Sequence, residues 1–258
     1  MSGAAFEVPP EVLSHLGLVV AVTGLAVLVR STLGFGDALV AMPLLLLCGV
    51  EHREAVALVA ANSVVTATAI LVMDRGREER AEGTWALVVA AVPGLALGLW
   101  FLEAASGSLV VVVLGVTVVA VGLLGVACDP RRWRVGPRAA WGFGFASGLL
   151  GGAFNVHGPP LAIFGTARGW RPEIFRATCQ LYFFATGLIL VTAHSVAGRL
   201  GTGEGITVAA CLPAIAMAGA VGGWLNRRLP VEAFRRLVYL VLVIVGGLLV
   251  ARGFQGTP

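Results

Sequence analysis

Apolar stretches of helical length, separated by short polar segments, run along almost the whole chain. A helix needs about 20 apolar residues to cross a bilayer, whereas a strand of a membrane β-barrel needs only about 10. The pattern therefore predicts an all-helical protein. The predicted helices cover residues 13–29, 38–50, 55–72, 85–102, 108–127, 139–154, 159–167, 174–193, 205–225 and 233–251.

Glycine and proline interrupt two of these apolar regions. The first break reads LGFGDALVAMPL over residues 33–44, and the second reads LLGGAFNVHGPPL over residues 149–161. A broken helix is costly in lipid because its free backbone N–H and C=O groups have no water to bond. Such breaks are tolerated where protein buries them or where they line a cavity. We therefore expect the two breaks to mark a binding cavity.

The second half of the chain repeats the first. Ordered glycine and proline matches carry this inference, because any two apolar helices share other residues by chance. The matched pairs are Leu33 with Leu150, Gly34 with Gly151, Pro43 with Pro160, and Leu44 with Leu161. We predict a first transmembrane repeat at residues 1–128, an arginine-rich cytoplasmic linker at 129–138, and a second transmembrane repeat at 139–258.

Composition assigns the chain to the integral membrane proteins. Of its 258 residues, 58% are hydrophobic and only 12% are charged, against about 25% charged residues in soluble domains. The mean hydropathy is +0.92. The four cysteines lack the spacing of a metal site or a disulfide framework, and the four histidines are spread along the chain. We therefore expect neither a metal nor a cofactor.

The arginines give the orientation of the helices. All 18 basic residues are arginine, and most of them cluster in four stretches between helices. By the positive-inside rule these stretches face the cytoplasm, so the basic character of the chain needs no nucleic-acid partner. The clusters are Arg75, Arg77 and Arg80; Arg131, Arg132, Arg134 and Arg138; Arg168, Arg171 and Arg176; and Arg227, Arg228, Arg235 and Arg236.

This orientation inverts the second repeat relative to the first. The third helix of the first half then runs inward, the third helix of the second half runs outward, and both termini face outside. Arg53 and Arg199 fall in predicted outer loops, against the rule. The predicted fold is an all-α integral membrane protein of two inverted five-segment repeats with broken or re-entrant helices, with about 8–10 transmembrane segments. This architecture is typical of secondary transporters, whose site lies near the membrane midplane.

Three segments carry a resemblance to a known family: LGFGDALVAMPLLLL, GFASGLLGGAFNVHGPPLAIF and FRATCQLYF. Together they resemble the TauE/SafE sulfite exporter family, and the similarity spans both halves of the chain. The resemblance implies export of sulfite or a related small sulfur-containing anion across the bacterial inner membrane. The sequence departs from the family at Asn155-Val156-His157, where a glycine-rich segment would be more usual.

A small oxyanion needs a desolvated pocket, positive potential and hydrogen-bond donors. The short helices after the two breaks offer free backbone N–H groups and positive helix ends. Glycine lets the backbone approach a ligand closely, and proline suits the first turn of a helix. The alternative role of the glycines is close helix packing. The predicted backbone ligands are Gly34, Gly36, Gly151, Gly152, Gly158 and Pro159.

Six polar side chains in or near the breaks are candidate ligands. Arg30 offers a permanent charge, and its alternative role is a topology residue that reaches the interface. His157 is a candidate anion donor and proton carrier, or else a histidine that bonds broken backbone. Asp37 is a candidate proton-coupling site, or else caps the helix that follows it. The uncharged donors are Asn62, Asn155 and Gln180, each of which has a helix-to-helix hydrogen bond as its alternative.

These observations favour a secondary transporter of a small anion, working by alternating access, over two other classes of protein. A passive channel of the same fold needs no titratable group in both breaks, whereas Asp37 and His157 occupy them. An intramembrane enzyme has less support, since neither HExxH nor GxSxG occurs in the chain. The expected partners are the anion and membrane lipid. The sequence leaves open the anion, the direction and driving ion, and whether the protein is a homodimer.

Overall fold

The computed structural model describes residues 10–73, 80–133, 135–228 and 231–255. Arg75, Arg77 and Arg134, which contributed to the orientation above, lie outside the described residues, as does the side chain of Arg227. The described chain forms ten α-helices and two short 3-10 turns, with no strand. The helices are α1 (Pro10–Leu33), α2 (Asp37–Leu47), α3 (His52–Met73), α4 (Thr84–Ala104), α5 (Gly107–Ala127), α6 (Ala140–Phe154), α7 (Gly158–Ala167), α8 (Pro172–Val196), α9 (Thr202–Arg228) and α10 (Val231–Phe254).

Every predicted segment corresponds to one of these helices, with shifts of a few residues at the ends. The most consequential shift is at α1, which continues past residue 29 to Leu33. No glycine or proline follows until Gly34, whose φ of 89° lies in the left-handed region that favours glycine. Arg30 therefore lies inside the last turn of α1 rather than after it.

Seven helices in the described part of the chain are long and apolar enough to cross a membrane, namely α1, α3, α4, α5, α8, α9 and α10. The other three, α2, α6 and α7, have 11, 15 and 10 residues. They are arms of the two breaks, and each is shorter than the roughly 20 residues of a full crossing. The fold is thus that of a multi-pass membrane protein, with seven candidate spans rather than 8–10.

The helices pack mainly in four pairs: α1 with α9, α3 with α8, α4 with α6, and α5 with α10. Glycines allow the backbones of α4 and α6 to touch. A Cβ at Gly148 would collide with the backbone of Ala91, and one at Gly144 would lie 2.5 Å from the carbonyl oxygen of Leu87. By contrast, Gly142 on the same helix has no neighbour within 4 Å. This close seam fixes α6, whose C-terminal end carries the second break.

Candidate functional site

Arg30 is fully buried and is held by three helices other than its own. Its Nη1 donates to Asp37 Oδ2 at 2.6 Å and to Ser63 Oγ at 2.7 Å. Its Nε and Nη2 donate to Gln180 Oε1 at 3.1 and 2.6 Å. A guanidinium has five N–H donors, and these bonds engage four of them. One Nη2 N–H is left without a partner among the described residues.

The ion pair of Arg30 and Asp37 closes the first break. The chain turns back between them at Gly34 and Gly36, whose φ angles are 89° and 105°. Gln180 Nε2 donates to the Gly34 carbonyl at 3.2 Å, so α8 holds this turn as well as the guanidinium. The N-cap of α2 is Gly36, not Asp37. The carboxylate of Asp37 instead serves as the counter-ion of Arg30.

Asn155 forms the turn of the second break. It follows α6 with a φ of 57°, and it is the one non-glycine residue with positive φ among the described residues. Its N–H donates to the Gly151 carbonyl at 2.7 Å, and the N–H of Val156 donates to the Leu150 carbonyl at 3.2 Å. These bonds satisfy carbonyls at the end of α6, as in common helix C-terminal motifs. Asparagine can take this position because its short side chain tolerates left-handed backbone.

His157 is buried at the second break. Its Nε2 lies 3.3 Å from Asn155 Oδ1, and its carbonyl accepts from Ser147 Oγ at 2.7 Å. Its ring packs against Gly151, where a Cβ would collide with it. His157 Nδ1 and Asn155 Nδ2 are buried with no hydrogen-bond partner among the described residues. An unpaired buried amide is costly, so the second break offers a desolvated donor to a ligand.

The two breaks meet at a small cavity, here called the central cavity. Phe35 of the first break packs on Gly158 of the second, where a Cβ would lie 2.7 Å from the Phe35 ring. The first residues of α2 and α7 border the cavity, so the positive ends of both helices face it. Its volume is about 10 Å³, which holds roughly one water molecule. An anion of several heavy atoms is larger than this cavity. The lining residues are Gly36, Asp37, Ala38, Leu39, Ser63, Asn155, Val156, His157, Gly158 and Phe183.

Phe183 contacts both of the basic candidates. The guanidinium carbon of Arg30 lies 4.7 Å from the ring centroid of Phe183, which is a cation–π distance. The centroid of the His157 ring lies 6.0 Å from the same centroid. The predicted ligands therefore form two groups, one around Arg30 and one around His157, that share contact with Phe183.

Asn62 lies in a neighbouring cavity of about 20 Å³. Its Nδ2 donates to Thr23 Oγ1 at 3.4 Å, while its Oδ1 is buried without a partner among the described residues. Asp37 and Ser63 line both this cavity and the central one. Asn62 is therefore next to the central group, with Asp37 and Ser63 between them.

The remaining predicted glycine and proline lie behind or below the central cavity. Gly152 faces α4, where a Cβ would collide with the carbonyl of Leu95, and this contact favours the packing role for Gly152. Pro159 lies in the first turn of α7, a position that suits proline. It lines a larger cavity beneath the breaks.

This larger cavity, here called the vestibule, lies on the side of the arginine clusters and has a volume of about 1160 Å³. Its inner end reaches Thr32, Phe35 and Pro159. Phe35 packs edge-on against Phe175, with ring centroids 6.1 Å apart. Because Phe35 lines the vestibule and also packs on Gly158 of the central cavity, it stands between the two.

A charged cluster lies on the side of the molecule away from the vestibule. It joins the first turn of α3 to the C-terminal ends of α4 and α8. Arg199, which follows α8, pairs with Glu103 near the end of α4. Arg53 in the first turn of α3 donates to the Glu103 carbonyl at 3.1 Å. Desolvation and the neighbouring Arg53 lower the pKa of the Arg199 guanidinium. The two arginines that break the positive-inside pattern thus have specific partners at this end.

Three residues at the site were missed by sequence reasoning: Ser63, Phe183 and Phe35. Ser63 follows Asn62 in α3, and Phe183 lies one helical turn after Gln180 in α8. Their proximity to predicted ligands was a usable signal. Phe35 stands between the two glycines of the first break, but its contact with the second break depends on how the two halves pack.

Two comparisons with known proteins bear on this site. The sequence matches the family described as "Sulfite exporter TauE/SafE" over residues 19–249, which includes both breaks. A curated relative from Cupriavidus necator, named "Probable sulfite/organosulfonate exporter TauE", is 25% identical over 170 residues. The alignment covers 63% of this chain and 66% of the relative, slightly less than two thirds of its length. The resemblance carried by the break segments is thereby confirmed.

Proposed function

This chain belongs to the TauE/SafE sulfite exporter family, and from that premise we propose that it is a secondary transporter of a small sulfur-containing anion. The proposed substrates are sulfite or an organosulfonate such as sulfoacetate, and the proposed route is export across the bacterial inner membrane by alternating access. One observation carries the proposal: two helix breaks meet at one cavity, bordered by two helix N-termini and an unpaired amide, with a buried arginine beside it.

The proposed binding site is the central cavity, enlarged as α2 and α7 move apart. One unpaired donor, the Nδ2 amide of Asn155, lines this cavity. The guanidinium of Arg30 lies directly behind the lining residues Asp37 and Ser63, to both of which it donates. The starts of α2 and α7 add positive potential. His157 lines the same cavity, whereas Gln180 fixes the direction of the Arg30 guanidinium.

The charges of the site argue for proton coupling. Arg30 and Asp37 neutralise one another at 2.6 Å, so an incoming anion would add an uncompensated charge to a buried site. Protonation of Asp37 would remove this cost and free the Nη1 of Arg30 for the anion. We therefore assign Asp37 as the proton site, with His157 as the second candidate, and expect anion and proton to bind together.

The pairing of helices supports two structural repeats, at residues 1–128 and 139–258. The arginine clusters support their inverted orientation and a cytoplasmic linker at 129–138. A two-fold axis that exchanges α1–α5 with α6–α10 turns the α1–α9 pair into the α6–α4 pair. The same axis maps the α3–α8 and α5–α10 pairs onto themselves. All four main helix pairs fit this symmetry.

The conformation of the structure suits loading from the cytoplasm. The vestibule opens on the side of the arginine clusters, whereas the Arg199–Glu103 ion pair joins the helix ends on the other side of the membrane.

A thermal-shift screen tests the substrate class. Purified protein in detergent is heated with sulfite, sulfate, thiosulfate, sulfoacetate, nitrate or chloride at matched ionic strength. A ligand that binds only the folded state stabilises it by about 2.7 kcal/mol at a hundred times its Kd. We expect sulfite or sulfoacetate to stabilise the protein selectively. If Asp37 must be protonated when the anion binds, Asp37→Asn should keep this stabilisation, because its amide is neutral, as a protonated carboxyl group is.

Two histidine variants locate the response. His157→Ala should lose the anion-dependent shift, since His157 lines the central cavity. His194→Ala removes a histidine that is equally buried but contacts Arg199 at the far end of α8, so it should keep the shift. A shift that survives in His157→Ala removes this residue from the site, and no shift with any anion contradicts the proposed substrate class.

Native cysteines test the proposed orientation. Cys48 and Cys128 are exposed, whereas Cys179 and Cys211 are buried and should stay unlabelled. Cys128 lines the vestibule on the side of the arginine clusters. Cys48 follows the C-terminal end of α2, on the other side of the membrane in the proposed topology. We expect a membrane-impermeant maleimide to label Cys48→Ser, which keeps Cys128, only in inverted vesicles. Cys128→Ser should be labelled only in intact cells, and labelling of both variants from one side contradicts the proposed topology.

A further inference from the structure

We propose that Arg176 is a first docking site for the anion, at the inner end of the vestibule and below the first break. This inference rests on the proposed transport function. The ligand is a small oxyanion with one or two negative charges. Arg176 would hold it before it passes Phe35 and reaches the central cavity.

The surroundings of Arg176 leave its charge available. It is half-buried and lines the vestibule. Its Nη1 donates to Asn226 Oδ1 at 3.3 Å, a neutral partner. Among the described residues, no carboxylate lies within ion-pair distance of it. Arg30 differs, since its charge is already neutralised by Asp37.

The guanidinium is also held in place. Asn226 Nδ2 donates to the Thr32 carbonyl at 2.6 Å, so Asn226 joins Arg176 to the end of α1. The Arg176 stem packs under the first break, where a Cβ at Gly34 would lie 3.1 Å from its Cγ. A fixed, partly desolvated cation at the closed end of a cavity concentrates anions more strongly than a freely moving surface cation.

The position of Arg176 on α8 connects it to the central cavity. Arg176 and Gln180 are four residues apart, so their side chains lie on one face of the helix, about 5–6 Å apart at Cβ. Gln180 is the residue that bonds Arg30. Phe35 packs against Phe175 and Gly158 and closes the direct route from Arg176 to the central cavity. An anion at Arg176 therefore waits at the point where movement of Phe35 would admit it.

Transport kinetics with sulfite in inverted vesicles test this role, because these vesicles expose the vestibule to the medium. We expect Arg176→Gln to raise the KM for sulfite about tenfold through loss of local anion concentration, with kcat almost unchanged. Arg176→Lys should have a KM close to the wild-type value, because lysine keeps the positive charge. Arg171→Gln is the matched control, since Arg171 precedes the same helix but is exposed, pairs with Glu173 at 3.7 Å, and does not line the vestibule.

The outcomes separate this inference from the proposed function. A wild-type KM in Arg176→Gln, or a fall in kcat alone, would make Arg176 a structural residue while leaving sulfite transport intact. An equal rise of KM in Arg171→Gln would reduce the effect to general surface charge and overturn the assignment. Absence of sulfite transport by the wild-type protein would overturn both proposals. Thermal unfolding of each variant confirms that the kinetic comparison is made between folded proteins.

Discussion

We expect Arg30→Gln to abolish transport and to destabilise the folded protein. The guanidinium is buried and contacts Asp37, Ser63 and Gln180. Loss of one partner of a desolvated charged contact costs roughly 2–5 kcal/mol, so we expect anion affinity to fall about a hundredfold or more. Stability falls as well, because Asp37 is only 14% exposed and loses its counter-ion. Removal of one partner from a buried pair typically costs about 3–5 kcal/mol.

A second substitution separates the two effects. Arg30→Gln with Asp37→Asn removes both charges, so most of the lost stability should return, whereas anion binding should not. Thermal unfolding with and without sulfite, together with flux in proteoliposomes, measures both quantities. Arg228→Gln is the control, since that arginine stacks on Trp224 5.3 Å from its ring centroid, away from the site. Normal flux in the double variant would exclude Arg30 as an anion ligand.

We expect Gly148→Ala to destabilise the fold strongly. The added Cβ would collide with the backbone of Ala91 in α4, and backbone cannot rotate away as a side chain does. Overpacking of a close interface costs typically about 1–3 kcal/mol. We expect a clearly lower unfolding temperature in detergent and reduced transport, because α6 must shift and the second break lies at its end.

Gly142→Ala is the matched control for this prediction. It adds the same methyl group to the same helix, but no atom lies within 4 Å of the new Cβ. Alanine is favoured over glycine inside a helix by about 0.5–1 kcal/mol, so stability should stay equal or rise slightly. Similar unfolding temperatures for Gly148→Ala and Gly142→Ala would mean that the seam between α4 and α6 is not closely packed.

The sequence predicted the helices and breaks well for a simple physical reason. Lipid requires long apolar runs, so glycine and proline within such a run are visible against a uniform background. Three side chains that line the central cavity were visible for the same reason, since Asp37, Asn155 and His157 are polar residues within apolar surroundings.

The relations between these residues were not predictable. Arg30 and Asp37 were assigned separate roles, because their pairing depends on the tight turn at Gly34 and Gly36. The role of Gly152 was ambiguous since glycine has no side chain that indicates which neighbour it faces. Its contact with Leu95 requires knowledge of which helix packs against α6. Likewise, Arg53 and Arg199 are exceptions to the positive-inside rule when only the charges of the loops are counted. The structure shows that both bond to Glu103, a contact that the sequence does not reveal.

Asn155 combines a backbone requirement and a chemical one in a single residue. The left-handed turn there accepts glycine or asparagine far more readily than other residues. Glycine would preserve the turn between α6 and α7 and remove the unpaired amide from the cavity wall. A change at residue 155 therefore alters the hydrogen-bond donors of the cavity wall, whereas the turn between α6 and α7 is kept. One substitution at Asn155 would thus alter the donors that face a ligand while leaving the helices in place.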